Sequence, residues 1–338
     1  MASTPFEPDA RLLDWLLEES NPSVRYFALR DLLGRPASDR EVRKAKAAIM
    51  KHGPVPRILE RQEPEGSWRK PEQFYTGKYS STVWTLLVLA ELGADGSDPR
   101  IRPACDLVLD RSQDRSSGGF AMFGSANGGQ HSQVIPCLTG NMLWALVRLG
   151  FEHDPRVQQA IEWIVTYQRF DDGDGDPKGW PYDQWEICWG KHTCHMGVVK
   201  SMKALAEFPA SKRSPAMKDL LARAAEFMLI HHVYKRSHNP GRASKPGWRH
   251  FGFPLMYQTD ALEILNLLLD LGYRDARMDA AAALVASKQG ADGRWLMKNS
   301  YNHSLIVPIE EKGAPSKWIT LHALKALTRY GVPEGTAA

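Results

Sequence analysis

Two short stretches place thiols beside glycine, Cys137-Leu-Thr-Gly140 and Cys194-His195-Met-Gly197, with His192 and Cys188 just upstream of the second. Thiolate and imidazole are the ligands zinc prefers, and a helix N-terminus favours the thiolate. The expected metal group is therefore Cys137 and Cys194 with His195 or His192, and Cys188 in reserve. Cys105 falls inside an amphipathic run and reads as plain core. Asp260, in Tyr257-Gln-Thr-Asp260-Ala, is the candidate catalytic acid, and the same position suits a helix N-cap. Between His231 and Thr259 there is no Asp or Glu, whereas Lys235, Arg236, Arg242, Lys245 and Arg249 all fall there. Such a cluster suits a phosphate or diphosphate, and equally a solvated loop or an acidic partner. Trp84, Trp144, Tyr257 and Trp318 are expected to line a hydrophobic binding cavity. Aromatic faces there would stabilise a carbocation or hold a neutral lipid. The run Asp171-Asp-Gly-Asp-Gly-Asp176 has the alternation of a calcium loop, but Pro177 stands where that loop needs glycine and Asp183 where it needs Glu. It reads as a solvated extension.

The elements that must position these residues form a repeat. Apolar helical runs end at residues 34, 93, 150, 208, 272 and 331, and five of the six ends are glycine. Each run follows an amphipathic one, and Asp9, Asp98-Pro99, Asp154-Pro155, Ser214 and Asp275 open the amphipathic members. The repeats span about 9–34, 41–93, 98–150, 154–208, 214–272 and 275–331. The expected helix pairs are 9–20 with 22–33, 41–61 with 79–92, 98–113 with 135–149, 154–168 with 191–207, 214–231 with 256–271, and 275–288 with 316–330. No run reads as a strand. Connections within a pair are long from the third pair onward, and long loops are where binding is built.

The joints repeat too. Gln62-Glu-Pro-Glu-Gly66-Ser-Trp68 and Gln289-Gly-Ala-Asp-Gly293-Arg-Trp295 share Gln-x-x-x-Gly-x-Trp. Looser copies are Gln113 with Gly118-Gly119-Phe120, Gln168 with Gly179-Trp180, and Pro246-Gly247-Trp248. These motifs resemble the Gln–Trp repeats of squalene–hopene cyclases and the glycine-rich repeats of protein prenyltransferase β subunits, over essentially the whole chain. The resemblance implies an all-α, single (α/α)6 toroid with a central cavity. On such a rim Cys137, Cys194, His195 and Asp260 would converge. Lanthionine cyclases carry a similar Cys and Cys-His arrangement, which favours His195. The His-Thr-Cys stretch of farnesyltransferase β subunits is similar to His192-Thr193-Cys194 and favours His192. Class II terpene cyclases place their acid in Asp-x-Asp-Asp, but Tyr257 and Thr259 replace the earlier carboxylates here. Prenyltransferase β subunits bind diphosphate near this rim, which is what the resemblance implies for the 235–249 segment.

Composition bounds the rest. The chain has 338 residues, 43% hydrophobic and 24% charged, typical of a globular protein. A net charge of +4 is too mild for a nucleic-acid partner, and the five basic residues of the 231–259 segment account for more than all of it. No apolar run reaches membrane-spanning length and no signal sequence is visible, so a cytoplasmic location is expected, with peripheral membrane contact left open. Four cysteines are too few for a disulfide scaffold. The expected function is that of an isoprenoid-processing enzyme resembling terpene cyclases or prenyltransferases, with zinc as cofactor. The alternatives are a zinc enzyme acting on a non-terpenoid substrate and a non-catalytic lipid-binding toroid.

Overall fold

A computed structural model describes residues 3–333. The described chain is mainly helical, and its only strands form three short antiparallel pairs. These join Ser3–Thr4 to Val332–Pro333, Gly124–Ser125 to Gly128–Gly129, and Lys235–Arg236 to Asn239–Ala243. Two compact units result. The first draws on the chain up to Arg57, on Glu226–Leu255 and on the chain from Thr259; the second comprises Ile58–Ala225 and Met256–Gln258. The divisions at 57 and 225 fall inside the repeats expected at 41–93 and 214–272, so repeat and compact unit are different partitions of the chain.

In the second unit, the helices Thr82–Glu91 and Pro136–Arg148 are buried nearly all round. That is the mark of a helix enclosed by others. Ile101–Arg111 and Pro155–Tyr167 bury one face each. Helix Pro136–Arg148 packs against His195–Ala206 at backbone contact. A Cβ on Gly140 would lie 2.5 Å from the Lys200 carbonyl carbon, and one on Gly197 would lie 2.9 Å from Pro136. Alanine at either position would push the helices apart. The first unit contains Ala10–Leu16, Pro22–Phe27, Arg40–Ile49, Ala261–Asp270, Asp279–Ala286 and Lys317–Tyr330. Asn266 ties two of these by donating from Nδ2 to the His322 carbonyl at 3.0 Å.

The punctuation expected from the sequence is present. Gly34, Gly93, Gly150, Gly272 and Gly331 all adopt positive φ, between 64° and 88°. This closes each helix in the left-handed region without a Cβ penalty. Asp9, Asp154 and Asp275 each accept a backbone N–H two residues on, and the Arg at that position folds back onto the same carboxylate. Asp98 and Arg100 repeat the device. Several helices differ from expectation: the first ends at Leu16, the second passes into a π-helix at Ala28, and the one expected from 98 starts at Ile101. The 41–61 run breaks at Gly53, whose φ is 82°, and restarts at Pro54. The helix expected at 191–207 starts at His195, because His192 is drawn into a bridge with Asp172. The one expected at 256–271 starts at Ala261, because Asp260 is extended and caps it.

Candidate functional site

The joints come first, because they hold the helix ends. Gln62 donates from Nε2 to the carbonyls of Gly66 and Arg100, both at 2.8 Å. The Trp68 indole N–H reaches back to the Ile58 carbonyl at 2.9 Å, and the ring is fully buried. Gln113 likewise bonds Gly118 and Arg156, with Phe120 as the buried ring. In the first unit Gln289 bonds Gly293, and Trp295 bonds Val285. In each case the backbone N–H of the aromatic residue donates to a threonine hydroxyl in the first turns of a following helix: Thr82, Thr139 or Thr320. The fourth joint departs from this pattern. Gln168 accepts from the Ser201 hydroxyl at 3.0 Å and donates to the Arg169 carbonyl. Trp180 instead stacks on His131, with centroids 4.0 Å apart.

The close approach at Gly140 and Gly197 brings together the N-terminal turns that carry the thiols. Cys137 is in the first turn of one helix and Cys194 is the N-cap residue of the other. Cys188, on the single turn Glu186–Trp189, joins them. Burial pushes the Cys137 thiol well above its ordinary value; Cys194 and Cys188 act in the same direction, and buried Lys200 opposes them. Burial, then Cys194, pushes Cys188 up to about 12. These two thiols are therefore protonated and neutral at neutral pH. His192 does not join the group. Its exposed ring lies over Gly173, with Nδ1 3.8 Å from Asp172. His195 opens its helix beside Cys194. Among the described residues no group of three or more His, Cys, Asp or Glu side chains is arranged to hold a metal ion.

Next to the thiols stands an aromatic group that spacing alone does not reveal. Trp84 is flanked by Tyr75, Tyr79 and Tyr257, with centroids 5.0, 5.4 and 6.2 Å away. Its indole N–H donates to the Tyr75 carbonyl at 2.8 Å. Burial raises the Tyr75 hydroxyl strongly, and Cys137, Cys188 and Tyr257 add to that, so rings and thiols share one environment. The Lys78 ammonium lies 5.0 Å from the Tyr75 centroid and 5.8 Å from that of Trp84. Asn141 fixes the Tyr257 segment by donating to the Met256 carbonyl at 3.1 Å. Trp144 is not part of this group: it lies further along its own helix under the Lys203 ammonium, 4.0 Å from the ring centroid.

In the first unit, Asp260 is 2% exposed and caps Ala261–Asp270. Oδ1 accepts from the Glu263 N–H at 2.8 Å and Oδ2 from the Gly252 N–H at 3.1 Å. Trp318 stacks face to face on Phe253, centroids 4.1 Å apart. A partly buried acid that the sequence did not single out, Glu310, caps Lys317–Tyr330 by accepting from the Lys317 N–H at 2.9 Å and from the Ser316 hydroxyl. Burial outweighs these bonds and raises its carboxyl. The basic segment forms the exposed hairpin of Lys235–Arg236 and Asn239–Ala243, with Arg236 and Arg242 on it and Lys245 and Arg249 following. Arg249 lowers and burial raises the Tyr234 hydroxyl, and the rise prevails.

No family model matches the chain, and no curated protein does. Among solved structures, the chain is similar to a variant of the type II terpene cyclase MstE from Scytonema in complex with geranylgeranyl dihydroxybenzoate, described as its substrate. Identity is 14%, over 95% of this chain and 99% of that one, with a TM-score of 0.44. The ligand-free MstE structure gives 15% identity over 91% and 87%, with a TM-score of 0.43. A protein from Actinoplanes gives 16% over 83% and 98%, with a TM-score of 0.31.

Proposed function

We propose that the protein is an isoprenoid-processing enzyme whose substrate passes through a positively charged state beside Trp84. The observation that carries this reading is the aromatic group that already holds a cation. Tyr75 and Trp84 lie within 5.8 Å of the Lys78 ammonium, and Tyr79 and Tyr257 pack against the same indole. Ring faces disposed around a cation suit a developing carbocation, each contributing about 0.5–2 kcal/mol. The thiols of Cys137 and Cys188 share the environment of the Tyr75 ring. The resemblance of the joints to those of cyclases and prenyltransferases supports the same chemistry, within the (α/α)6 toroid that the repeat implies. On the first unit, taken by itself, the proposal assigns Lys235, Arg236, Arg242, Lys245 and Arg249 to diphosphate binding and Asp260 to the role of acid. Its two oxygens each accept a backbone amide in the structure, so donation of a proton requires protonation of the carboxyl and release of one of those bonds.

No step is routed through zinc. The experiment is incubation with farnesyl and geranylgeranyl diphosphate and with the matching alcohols, followed by product analysis by gas chromatography and mass spectrometry. Turnover is expected, with Trp84→Ala lowering kcat at least about tenfold from the loss of cation stabilisation. Asp260→Asn, which keeps a capping oxygen, should retain the fold and lose activity by about 10²–10⁴. Full turnover in Asp260→Asn removes it from the mechanism. Absence of both binding and turnover across the four ligands overturns the reading.

A further inference from the structure

The third joint carries a cluster that the function above does not use. Asp114 is buried, with 5% of its surface exposed, and its carboxylate organises the turn around it. It accepts from the Ser117 hydroxyl at 2.5 Å, from the Ser116 hydroxyl at 2.9 and 3.0 Å, and from the Ser116 N–H at 3.3 Å. His131 Nδ1 lies 2.7 Å from Asp114 Oδ2. Burial opposes the charge on Asp114, but the bonds from Ser117, His131 and Ser116 outweigh it, so the carboxyl titrates below its ordinary range. An ionised carboxylate can only accept, so in the neutral imidazole Nδ1 carries the hydrogen and Nε2 the lone pair. No hydrogen bond from a described residue reaches Nε2, and the side chain is half exposed.

The ring is also fixed in place. Trp180 stacks on it at 4.0 Å with an interplanar angle of 11°, and the Trp180 indole N–H donates to the His131 carbonyl at 3.0 Å. The Trp185 indole N–H does the same to Ser132 at 3.0 Å. Two large apolar side chains lie exposed on the flanking segments: Phe123, at 45%, and Ile187, at 86%. The Phe123 carbonyl accepts from the Gln130 N–H, next to His131, and Ile187 follows Trp185 by two residues. An oriented imidazole thus stands at the surface, on segments that also expose Phe123 and Ile187.

We propose that His131 and Asp114 form a second site, in which His131 is the general base for hydrolysis of a carboxylic ester with an apolar acyl group. Water forms a bond from its oxygen to the ester carbonyl carbon as Nε2 takes its proton. The tetrahedral intermediate then collapses, the bond to the alkoxy oxygen breaks, and Nε2 returns the proton to the departing alkoxide. The products are one carboxylic acid and one alcohol, and His131 is regenerated. Asp114 is a positioning residue: it holds the tautomer and stabilises the imidazolium formed midway. Phe123 and Ile187 meet the acyl chain.

The site is tested on the full chain with p-nitrophenyl acetate and p-nitrophenyl butyrate, independently of any prenyl substrate. Hydrolysis faster than that by an equal concentration of free imidazole is expected, with butyrate preferred. His131→Gln should lower kcat/KM by about 10²–10⁴, and added imidazole should restore rate to His131→Gly. Asp114→Asn should lower kcat with KM little changed and shift the pH–rate profile, which a purely structural loss would not do. Ile187→Ser should narrow the preference for butyrate. A rate no greater than that of free imidazole, or an unchanged rate in His131→Gln, overturns the proposal.

Discussion

The second and fourth joints use the same residue types to opposite ends. At the second, Gln62 bonds the Gly66 carbonyl, the turn stays short, and Trp68 is sealed in the core. At the fourth, Gln168 turns to Ser201, and the chain expands into the 171–189 loop. That loop carries Cys188 to the thiol group and lays Trp180 and Trp185 on the 131–132 turn. Where the glutamine closes on the glycine carbonyl, the aromatic residue that follows is buried; at the fourth joint, where it does not, Trp180 and Trp185 lie on the 131–132 turn.

The strongest way to break this contrast is to remove the two indoles. Trp68→Ala should cost about 3–5 kcal/mol, as for a large buried ring, whereas Trp180→Ala should cost about 0.5–1.5 kcal/mol, the worth of an aromatic pair. Denaturant melts of both variants check this, and equal losses would erase the distinction between the joints. Gly140→Ala comes next. Its Cβ would meet Lys200 backbone at 2.5 Å, so a loss of about 1–3 kcal/mol is expected, along with increased alkylation of Cys137 as the helices separate. A smaller effect lies in acid. Asp114 titrates below its ordinary value in the folded chain, so its stabilisation is present above pH about 4 and is lost as pH falls through that value and below. Asp114→Asn should flatten this part of the stability–pH curve. The smallest expected effect concerns zinc. Protein purified without chelator should hold well under one zinc per chain by atomic absorption. Stoichiometric zinc, lost in both Cys137→Ser and Cys194→Ser, would show that Cys188 or His195 rearranges to complete a site.

Much of the architecture was legible because it depends on local rules. Five glycine ends predicted five left-handed caps. Asp154-Pro155 predicted a helix start, whereas the helix after Asp98-Pro99 begins only at Ile101. The three joints with a glutamine bonded to the glycine carbonyl were legible for the same reason. The fourth misled, because Gly179-Trp180 satisfies the spacing only loosely and no local signal shows that His131, far along the chain, claims the ring. The aromatic residues divided likewise. Trp84 and Tyr257 do meet, but Tyr75, Tyr79 and Lys78 were passed over because they lie on irregular chain, where periodicity says nothing about direction. Their clustering five to nine residues ahead of Trp84 was the available signal. His192 and His195 could not be separated by sequence, and it is the bridge to Asp172 that draws His192 aside. Asp114 and His131 lie in an insertion between helices, where only a fold brings a carboxylate to an imidazole seventeen residues away.

The paired glycines at 140 and 197 have a consequence for how this chain can change over time. Because the two helices meet backbone to backbone, the spacing of Cys137 and Cys194 is set by that contact and not by the loop between them. Residues 171–189 are therefore free to lengthen, shorten or exchange side chains while the two helix starts keep their places. A lineage that diversifies this protein would be expected to vary the loop, and with it the ligand, against two positions where even a methyl group is selected against.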